Sequence, residues 1–137
     1  MKNGFKFISF VVIMSVILAG TIACKSSPSS TSAESTIRDY ADPATETTMQ
    51  GFSANNLAKY AQYGNAEFKA AITEEILAKT SAQISSQLGS YQSKEFLSTE
   101  EQQGYVIVHY KARFAKGEVG VRMVFDKDHL VAGQWFE

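Results

Sequence analysis

The chain has 137 residues, of which 45% are hydrophobic and 20% are charged, a composition typical of one ordinary globular domain. Its formal net charge is −1, from 13 basic and 14 acidic side chains, so it lacks the basic balance that usually accompanies a nucleic-acid partner. Cys24 is the single cysteine, which excludes an internal disulfide and a thiolate metal site in the folded part.

The first 23 residues have the features of a secretion signal. Lys2 and Lys6 give a positive start, and residues 7–19 are apolar except for two serines. A run of this length is short for a transmembrane helix, which needs about 20 apolar residues, and it suits the hydrophobic region of a signal peptide. We predict a signal peptide over residues 1–23. Its removal leaves 11 basic and 14 acidic side chains, a net charge of about −3.

Ala23 and Cys24 resemble the lipobox of bacterial lipoproteins, although Thr21 stands where leucine is usual. The resemblance implies cleavage before Cys24 and lipidation of its sulfur, and several acyl chains hold a protein at a membrane where one alone holds only marginally. The alternative is an uncleaved signal anchor with an incidental cysteine. We predict a lipoprotein that is secreted across the cytoplasmic membrane and lipid-anchored, facing the outside or the periplasm; which membrane holds the anchor remains open.

The segment after this cysteine is dominated by serine, threonine and proline. Such a sequence buries too little apolar surface to order itself. We therefore predict a lipidated cysteine and flexible tether over residues 24–33, followed by one folded domain over residues 34–137.

Helical signals fill the first half of this domain. Asp42 and Pro43 have the features of a helix N-cap and of the first helical position, and Gly51 is the expected end of that helix. Shorter helical segments are predicted over residues 55–63 and 68–72.

The strongest helical pattern begins at Thr73, the expected N-cap, and ends at Gly89. Acidic residues occur where helix starts favour them because of the helix dipole. We assign four acids to caps and first turns on this basis: Asp42, Glu46, Glu74 and Glu75.

The second half alternates apolar and polar residues with the period of a β-strand. The pattern is weak over residues 91–97, strong over residues 105–114, and it recurs over residues 118–125 and 130–136. Helices followed by an antiparallel meander predict an α+β fold, with N-terminal helices packed on one face of a four-stranded sheet.

A two-residue turn at Lys116 and Gly117 gives a consistent register for the second hairpin. It pairs Phe114 with Val119 on the apolar face, and it places Lys111 opposite Arg122 on the outer face.

The register of the last strand remains open. A two-residue turn at Lys127 and Asp128 turns Gln134 inward and places Trp135 over Gly120. A three-residue turn instead buries Val131 and Trp135.

Five segments carry a family resemblance: YADP at 40–43, LGSY at 88–91, YKARF at 110–114, VRMVFD at 121–126 and VAGQWF at 131–136. They resemble a family of small secreted domains catalogued as domain of unknown function 3887. The resemblance implies a cystatin-like or nuclear-transport-factor-like (NTF2-like) cone, found in lipoproteins or ahead of an α/β-hydrolase domain. It implies no catalytic residue, and no Gly-x-Ser-x-Gly elbow occurs in this sequence.

No catalytic or metal-binding constellation is evident in the sequence. His109 is predicted on the outer sheet face and His129 at a turn, so the two histidines do not converge on partners as metal or general-base chemistry requires. We therefore expect no catalytic residue, no metal and no cofactor.

Two groups of residues are candidates for binding. One is an interaction face on the outside of the sheet, comprising Ile107, His109, Lys111, Arg113 and Arg122; the alternative is that its charges are solvated and compensated by nearby acids. The other is a cavity between helices and sheet with Tyr110, and in one register Gln134, in its wall; the alternative is that Tyr110 simply fills the core.

The most economical functional hypothesis is a non-catalytic, membrane-anchored module that binds a protein partner, a second copy of itself or a small ligand. A small cavity-bearing enzyme or ligand carrier is the first alternative. An accessory subunit to a separately encoded α/β-hydrolase is the second.

Overall fold

The computed structural model describes residues 29–137, so the predicted signal peptide and Cys24 lie outside the described residues. Helices come first and a sheet follows, as predicted. The elements are α1 (Ser29–Ser53), α2 (Leu57–Tyr60), α3 (Ala66–Ala71), α4 (Glu74–Leu88), β1 (Tyr91–Gln102), β2 (Tyr105–Phe114), β3 (Gly117–Phe125) and β4 (Val131–Phe136). The strands form one antiparallel sheet in the order β1-β2-β3-β4, which confirms the α+β class. Between residues 29 and 137, no helix combines the length and apolar character that crossing a membrane requires.

Helix α1 is longer than predicted at its start. It begins at Ser29, inside the segment predicted to be a flexible tether up to Ala33, and it runs without interruption through Pro43. The predicted start at Asp42 is therefore wrong. A proline inside a helix removes one backbone hydrogen bond and costs about 3 kcal/mol. The helix continues because its next turns bury one face against the sheet, including Ala44 and Met49.

Gly51 lies within α1 and does not end it. A Cβ atom at this position would lie 2.3 Å from the backbone nitrogen of Tyr60 and 2.6 Å from its Cα atom. The absence of a side chain lets α2 cross directly over the last turn of α1. Glycine is required here because two backbones approach each other closely. The sequence alone does not distinguish such a glycine from one that ends a helix.

Each of the three later helices begins with a side-chain cap. The Asn56 side chain accepts from the Lys59 N–H (2.9 Å), and the Asn65 side chain accepts from the Phe68 N–H (2.8 Å). Thr73 caps α4 as predicted, although its hydroxyl lies 3.2 Å from the Ile76 nitrogen. These caps satisfy N–H groups that have no partner inside the helix.

Helix α4 ends where the sequence predicted. Gly89 follows it with a φ of +79°, a conformation that favours glycine. Glu74 and Glu75 occupy the first turn, in agreement with their assignment.

The β2–β3 hairpin differs from the prediction by two residues. The turn consists of Ala115 and Lys116, and Phe114 pairs with Gly117. Arg122 is consequently opposite His109, not opposite Lys111. Because the shift is an even number of residues, every side chain stays on its predicted face of the sheet.

Strand β4 follows neither predicted register completely. A bulge separates the Phe125–Val131 and Val124–Gly133 pairs, and the extra residue lets both Val131 and Gln134 face the helices. Trp135 faces the opposite side, where it pairs with Arg122.

The core lies between α1 and the inner face of the sheet. The largest fully buried side chains are Tyr110, Phe52, Phe125, Met49, Met123, Val108, Val121 and Val131, with the hydroxyl residues Thr45 and Thr48. These residues come from α1 and from three of the strands, and they enclose Tyr110, which was predicted to line a cavity.

Candidate functional site

The inner face carries a polar cluster centred on Asp42. Its carboxylate accepts hydrogen bonds from the Tyr110 hydroxyl (2.9 Å) and the Arg38 Nε (3.1 Å), and the Lys94 Nζ lies 3.4 Å away. Partial burial alone would raise the pKa of Asp42. The bond from Tyr110 and the two cations outweigh burial and lower this pKa below its ordinary value.

Tyr110 is completely buried, with no accessible surface. Burial and the neighbouring Asp42 carboxylate raise the pKa of its hydroxyl. The Lys94 Nζ lies 4.7 Å from the centre of its ring, and the Phe96 ring packs edge-on against it. No space is left at Tyr110 for a ligand, so it does not form the wall of an open cavity.

A second carboxylate on α1 makes a similar contact one turn further along. The Glu46 carboxylate accepts from the Tyr91 hydroxyl at 2.8 Å, and burial followed by this contact raises the pKa of Tyr91. The assignment of Asp42 and Glu46 to a helix start is therefore wrong. Both acids attach the middle of α1 to the sheet. The sequence signal was their spacing of four residues, which places them on one helix face.

Gln134 lies apart from Tyr110, beside an open groove between α4 and β4. Its Oε1 accepts from the Tyr60 hydroxyl at 2.8 Å, whereas its Nε2 is buried with no acceptor within residues 29–137. Burial raises the pKa of Tyr60 to about 12. The groove has a volume of about 330 Å³. The structure thus separates the two residues predicted to share one cavity.

The five residues of the predicted interaction face do lie together. Ile107, His109, Lys111 and Arg113 alternate with the buried residues of β2 and therefore point outward, and Arg122 of β3 lies opposite His109. Ile107 is only 8% exposed although it is on the outer side. Neighbouring side chains on this face therefore cover most of Ile107.

A patch of larger residues surrounds Ile107, and we call it the aromatic patch. It consists of Tyr105, Ile107, Arg122, Val124 and Trp135, which together with Gln102 and Gln103 line a shallow groove of about 230 Å³. Trp135 is 47% exposed and Tyr105 is 43% exposed. The predicted interaction face omitted both aromatic residues. The orientation of Trp135 was open because the β4 register was open, whereas Tyr105 is in phase with the outward-facing residues of β2 and could have been assigned to this face.

Trp135 is held in place from two directions. The Arg122 guanidinium lies 4.8 Å from the centre of the indole ring, within cation–π distance. The ring also lies over Gly133, where a Cβ atom would be 2.1 Å from the indole. The Gly-x-Trp spacing puts both residues on one strand face, and it is the sequence signal that could have identified this contact.

The charges around the aromatic patch compensate one another. Arg113 lies 3.0 Å from Glu118 and 3.6 Å from Glu95, and Arg122 lies 3.4 Å from Glu137. His109 lies 3.5 Å from a carboxylate on either side. Within the described part of the chain, Lys111 has no carboxylate within 4.0 Å.

The two histidines lie in different parts of the fold and have different partners. His109 belongs to the outer face, and His129 occupies the β3–β4 turn, where its ring stacks on Tyr40 with 4.1 Å between the ring centres. Across residues 29–137, no three His, Cys, Asp or Glu side chains are grouped so that they could hold a metal ion.

Comparison with known proteins gives one match. No curated protein and no solved structure matches the chain. The family model described as "Protein of unknown function (DUF3887)" matches residues 45–133, which is more than half of the chain. The match covers helices α2, α3 and α4 over their full lengths and most of the sheet. The chain therefore belongs to the DUF3887 family, whose function is unknown.

Proposed function

We propose that this protein is a non-catalytic binding module, lipid-anchored through Cys24 and facing the outside or the periplasm, and that it binds a second copy of itself through the outer face of its sheet. The observation that carries the proposal is the aromatic patch. Trp135 and Tyr105 remain largely exposed around a groove that also contains Arg122. Tryptophan, tyrosine and arginine dominate the binding energy of protein interfaces.

The charges around the patch favour a second copy as the partner. The face carries Lys111, Arg113 and Arg122 interspersed with Glu95 and Glu118, so cations of one copy can meet acids of another. A two-fold interface is self-complementary in this way, because the same surface is used by both subunits. A strongly single-signed partner would gain little from a face of mixed sign.

Membrane anchoring makes weak self-association sufficient. Five residues of fully extended chain, the separation of Cys24 from Ser29, span at most about 18 Å. An anchor at Cys24 would keep the described domain close to the bilayer, where confinement raises the effective concentration of neighbouring copies. Replacement of Cys24 by serine is expected to abolish the incorporation of labelled palmitate into the protein, which metabolic labelling measures. Undiminished labelling would contradict lipid anchoring at Cys24 and leave the proposed interface untouched.

Charge reversal at Arg122 tests the interface. Arg122→Glu removes the cation from Trp135 and places a like charge beside Glu137, so we expect the dimer dissociation constant to rise by about tenfold or more. Sedimentation equilibrium of the full-length chain in a mild detergent measures this constant.

Lys79→Glu provides the matched control, because Lys79 is exposed on α4 and lies outside this face. It should leave both the dissociation constant and the unfolding midpoint unchanged. Equal effects of the two reversals, or a parent chain that stays monomeric at high concentration, would count against the outer face as the interface.

Gly133→Ala tests the aromatic patch without changing any charge. The added methyl group would overlap the indole, so Trp135 must leave its position over the strand. We expect weaker dimerisation and a red-shifted emission, and since the chain has one tryptophan the fluorescence reports this site alone. Gly120→Ala is the control, because its nearest contact is a Glu137 backbone atom at 3.3 Å. Unshifted emission from Gly133→Ala would show that the indole does not rest on Gly133.

A further inference from the structure

Strand β4 has a free backbone edge that the outer-face interface does not use. Gly120 and Glu137 exchange two backbone hydrogen bonds, of 3.2 and 2.9 Å. In an antiparallel ladder, residue pairs that exchange backbone hydrogen bonds alternate with pairs that do not. Trp135 lies two residues before Glu137, so it also directs its backbone groups toward β3. The N–H and C=O groups of Gln134 and Phe136 therefore point away from the sheet.

The chain itself occupies the first position along this edge. The Val131 N–H donates to the Tyr63 carbonyl (2.8 Å), and the Asn65 N–H donates to the Val131 carbonyl (2.9 Å). Gly64 and Val131 form an isolated parallel bridge. The chain then enters α3, and within residues 29–137 no backbone bond from another segment reaches Gln134 or Phe136. An extended segment thus already pairs with this edge, but only at one position.

The groove between α4 and β4 adjoins the uncovered positions. Its lining contains no charged residue: Phe52, Tyr60, Ile72, Ile76, Leu77, Thr80, Gln134, Trp135 and Phe136. Ile76 is 48% exposed on the helix side of the groove. Gln134 lines the groove, and its Nε2 is a buried donor without an acceptor in residues 29–137.

The opposite edge of the sheet shows how this protein protects an exposed strand. Strand β1 carries Lys94, Glu95, Glu100 and Glu101 and has two register shifts. Charges and bulges of this kind discourage pairing with another chain. Strand β4 has one bulge and no charged residue between Val131 and Phe136. Its uncovered positions therefore lack the charged side chains that protect β1.

We propose that the free edge of β4 and the adjoining groove bind an extended, uncharged segment of a partner polypeptide. Its backbone pairs with Gln134 and Phe136, and an apolar side chain enters the groove beside Ile76. Strand addition of this type obtains affinity from backbone bonds and specificity from pockets for alternate side chains. A charged side chain is disfavoured because the groove offers no counter-charge. The site shares Trp135 with the self-association face, but Ile76 and the backbone groups of Gln134 and Phe136 lie outside that face.

The test uses a terminally blocked octapeptide of alternating valine and threonine, labelled with fluorescein. The full-length chain is held in phosphatidylcholine nanodiscs, and empty nanodiscs correct for binding to lipid. Fluorescence anisotropy should show saturable binding, and hydrogen exchange should slow in the segment containing Gln134 and Phe136. Absence of saturable binding, or exchange that slows elsewhere only, overturns the proposal.

A second peptide separates strand pairing from simple binding in an apolar groove. N-methylation at alternate residues removes the donors along one edge of the peptide while its side chains are retained. We expect its affinity to fall by about tenfold or more if backbone bonds to β4 hold the peptide. Equal affinity of the methylated and parent peptides overturns the proposal.

Substitutions in the protein locate the site. Ile76→Lys places a charge at the edge of the groove on an exposed helix position, and it should weaken peptide binding by about tenfold. Ala82→Lys, on another face of α4, is the control and should leave peptide binding unchanged. Arg122→Glu should leave peptide binding intact even where it disrupts self-association. Equal effects of Ile76→Lys and Ala82→Lys would overturn the groove as the site.

Discussion

Replacement of Asp42 by alanine is expected to lower the free energy of unfolding by about 3 kcal/mol. The variant leaves the Tyr110 hydroxyl, in a fully buried residue, without its acceptor. It also removes the carboxylate nearest to Lys94, whose side chain is only 12% exposed. Urea denaturation followed by circular dichroism measures the loss.

Asp39→Ala is the matched control for this prediction. Asp39 is an exposed acid one turn earlier on α1, and its loss should change the unfolding free energy by no more than about 0.5 kcal/mol. If the two variants are equally stable, the Asp42 cluster does not hold α1 on the sheet.

The same carboxylate predicts a dependence of stability on pH. Its pKa is lowered in the folded protein below the ordinary value of 3.8, so the unfolded chain binds the proton more readily. The stabilisation is therefore fully present above the unfolded value and is lost as the pH falls through the folded pKa. Asp42→Asn should lack this acid-dependent part. Parallel acid-unfolding curves for the parent chain and Asp42→Asn would contradict the pKa assignment.

Gly51→Ala is expected to lower the free energy of unfolding by about 3 kcal/mol, even though alanine in a helix interior is normally more stable than glycine by about 1 kcal/mol. The reversal follows from the Tyr60 backbone, which lies where the new methyl group would be. A flexible side chain could move aside, whereas a helix backbone in van der Waals contact cannot do so locally. Thermal unfolding of the two chains measures the difference.

Ser35→Ala, at an exposed position of α1 far from α2 in sequence, is the control for Gly51→Ala. It should have an effect of no more than about 0.5 kcal/mol. A stabilised Gly51→Ala variant would mean that α2 does not cross α1 at this glycine.

Several parts of the fold are predictable because their signals are local. Strand β2 occupies residues 105–114 as predicted, since alternation of apolar and polar residues depends only on the two faces of one strand. The Thr73 cap and the Gly89 end of α4 follow from side-chain oxygens and a positive φ that act within a few residues.

The candidate sites were less predictable because they depend on contacts between distant residues. The sequence placed the five residues of the predicted interaction face correctly on one side of the sheet, but the Trp135 orientation depended on a bulge that the pattern does not reveal. Tyr110 and Asp42 are 68 residues apart, so their contact left no periodic signal. Because of this contact and its burial, Tyr110 lies in the core and not in the wall of an open cavity, where it was predicted.

By itself, the sequence determined the element order, the α+β class and the face on which each residue of β2 and β3 lies, because periodicity and capping are properties of neighbouring residues. Only the tertiary structure decided that α1 continues through Pro43, how the hairpins register and which groups remain unpaired. The reason is energetic: burial of the α1 face and pairing between strands outweigh local preferences of a few kcal/mol. The free β4 edge and the aromatic patch are visible only after that packing is in place.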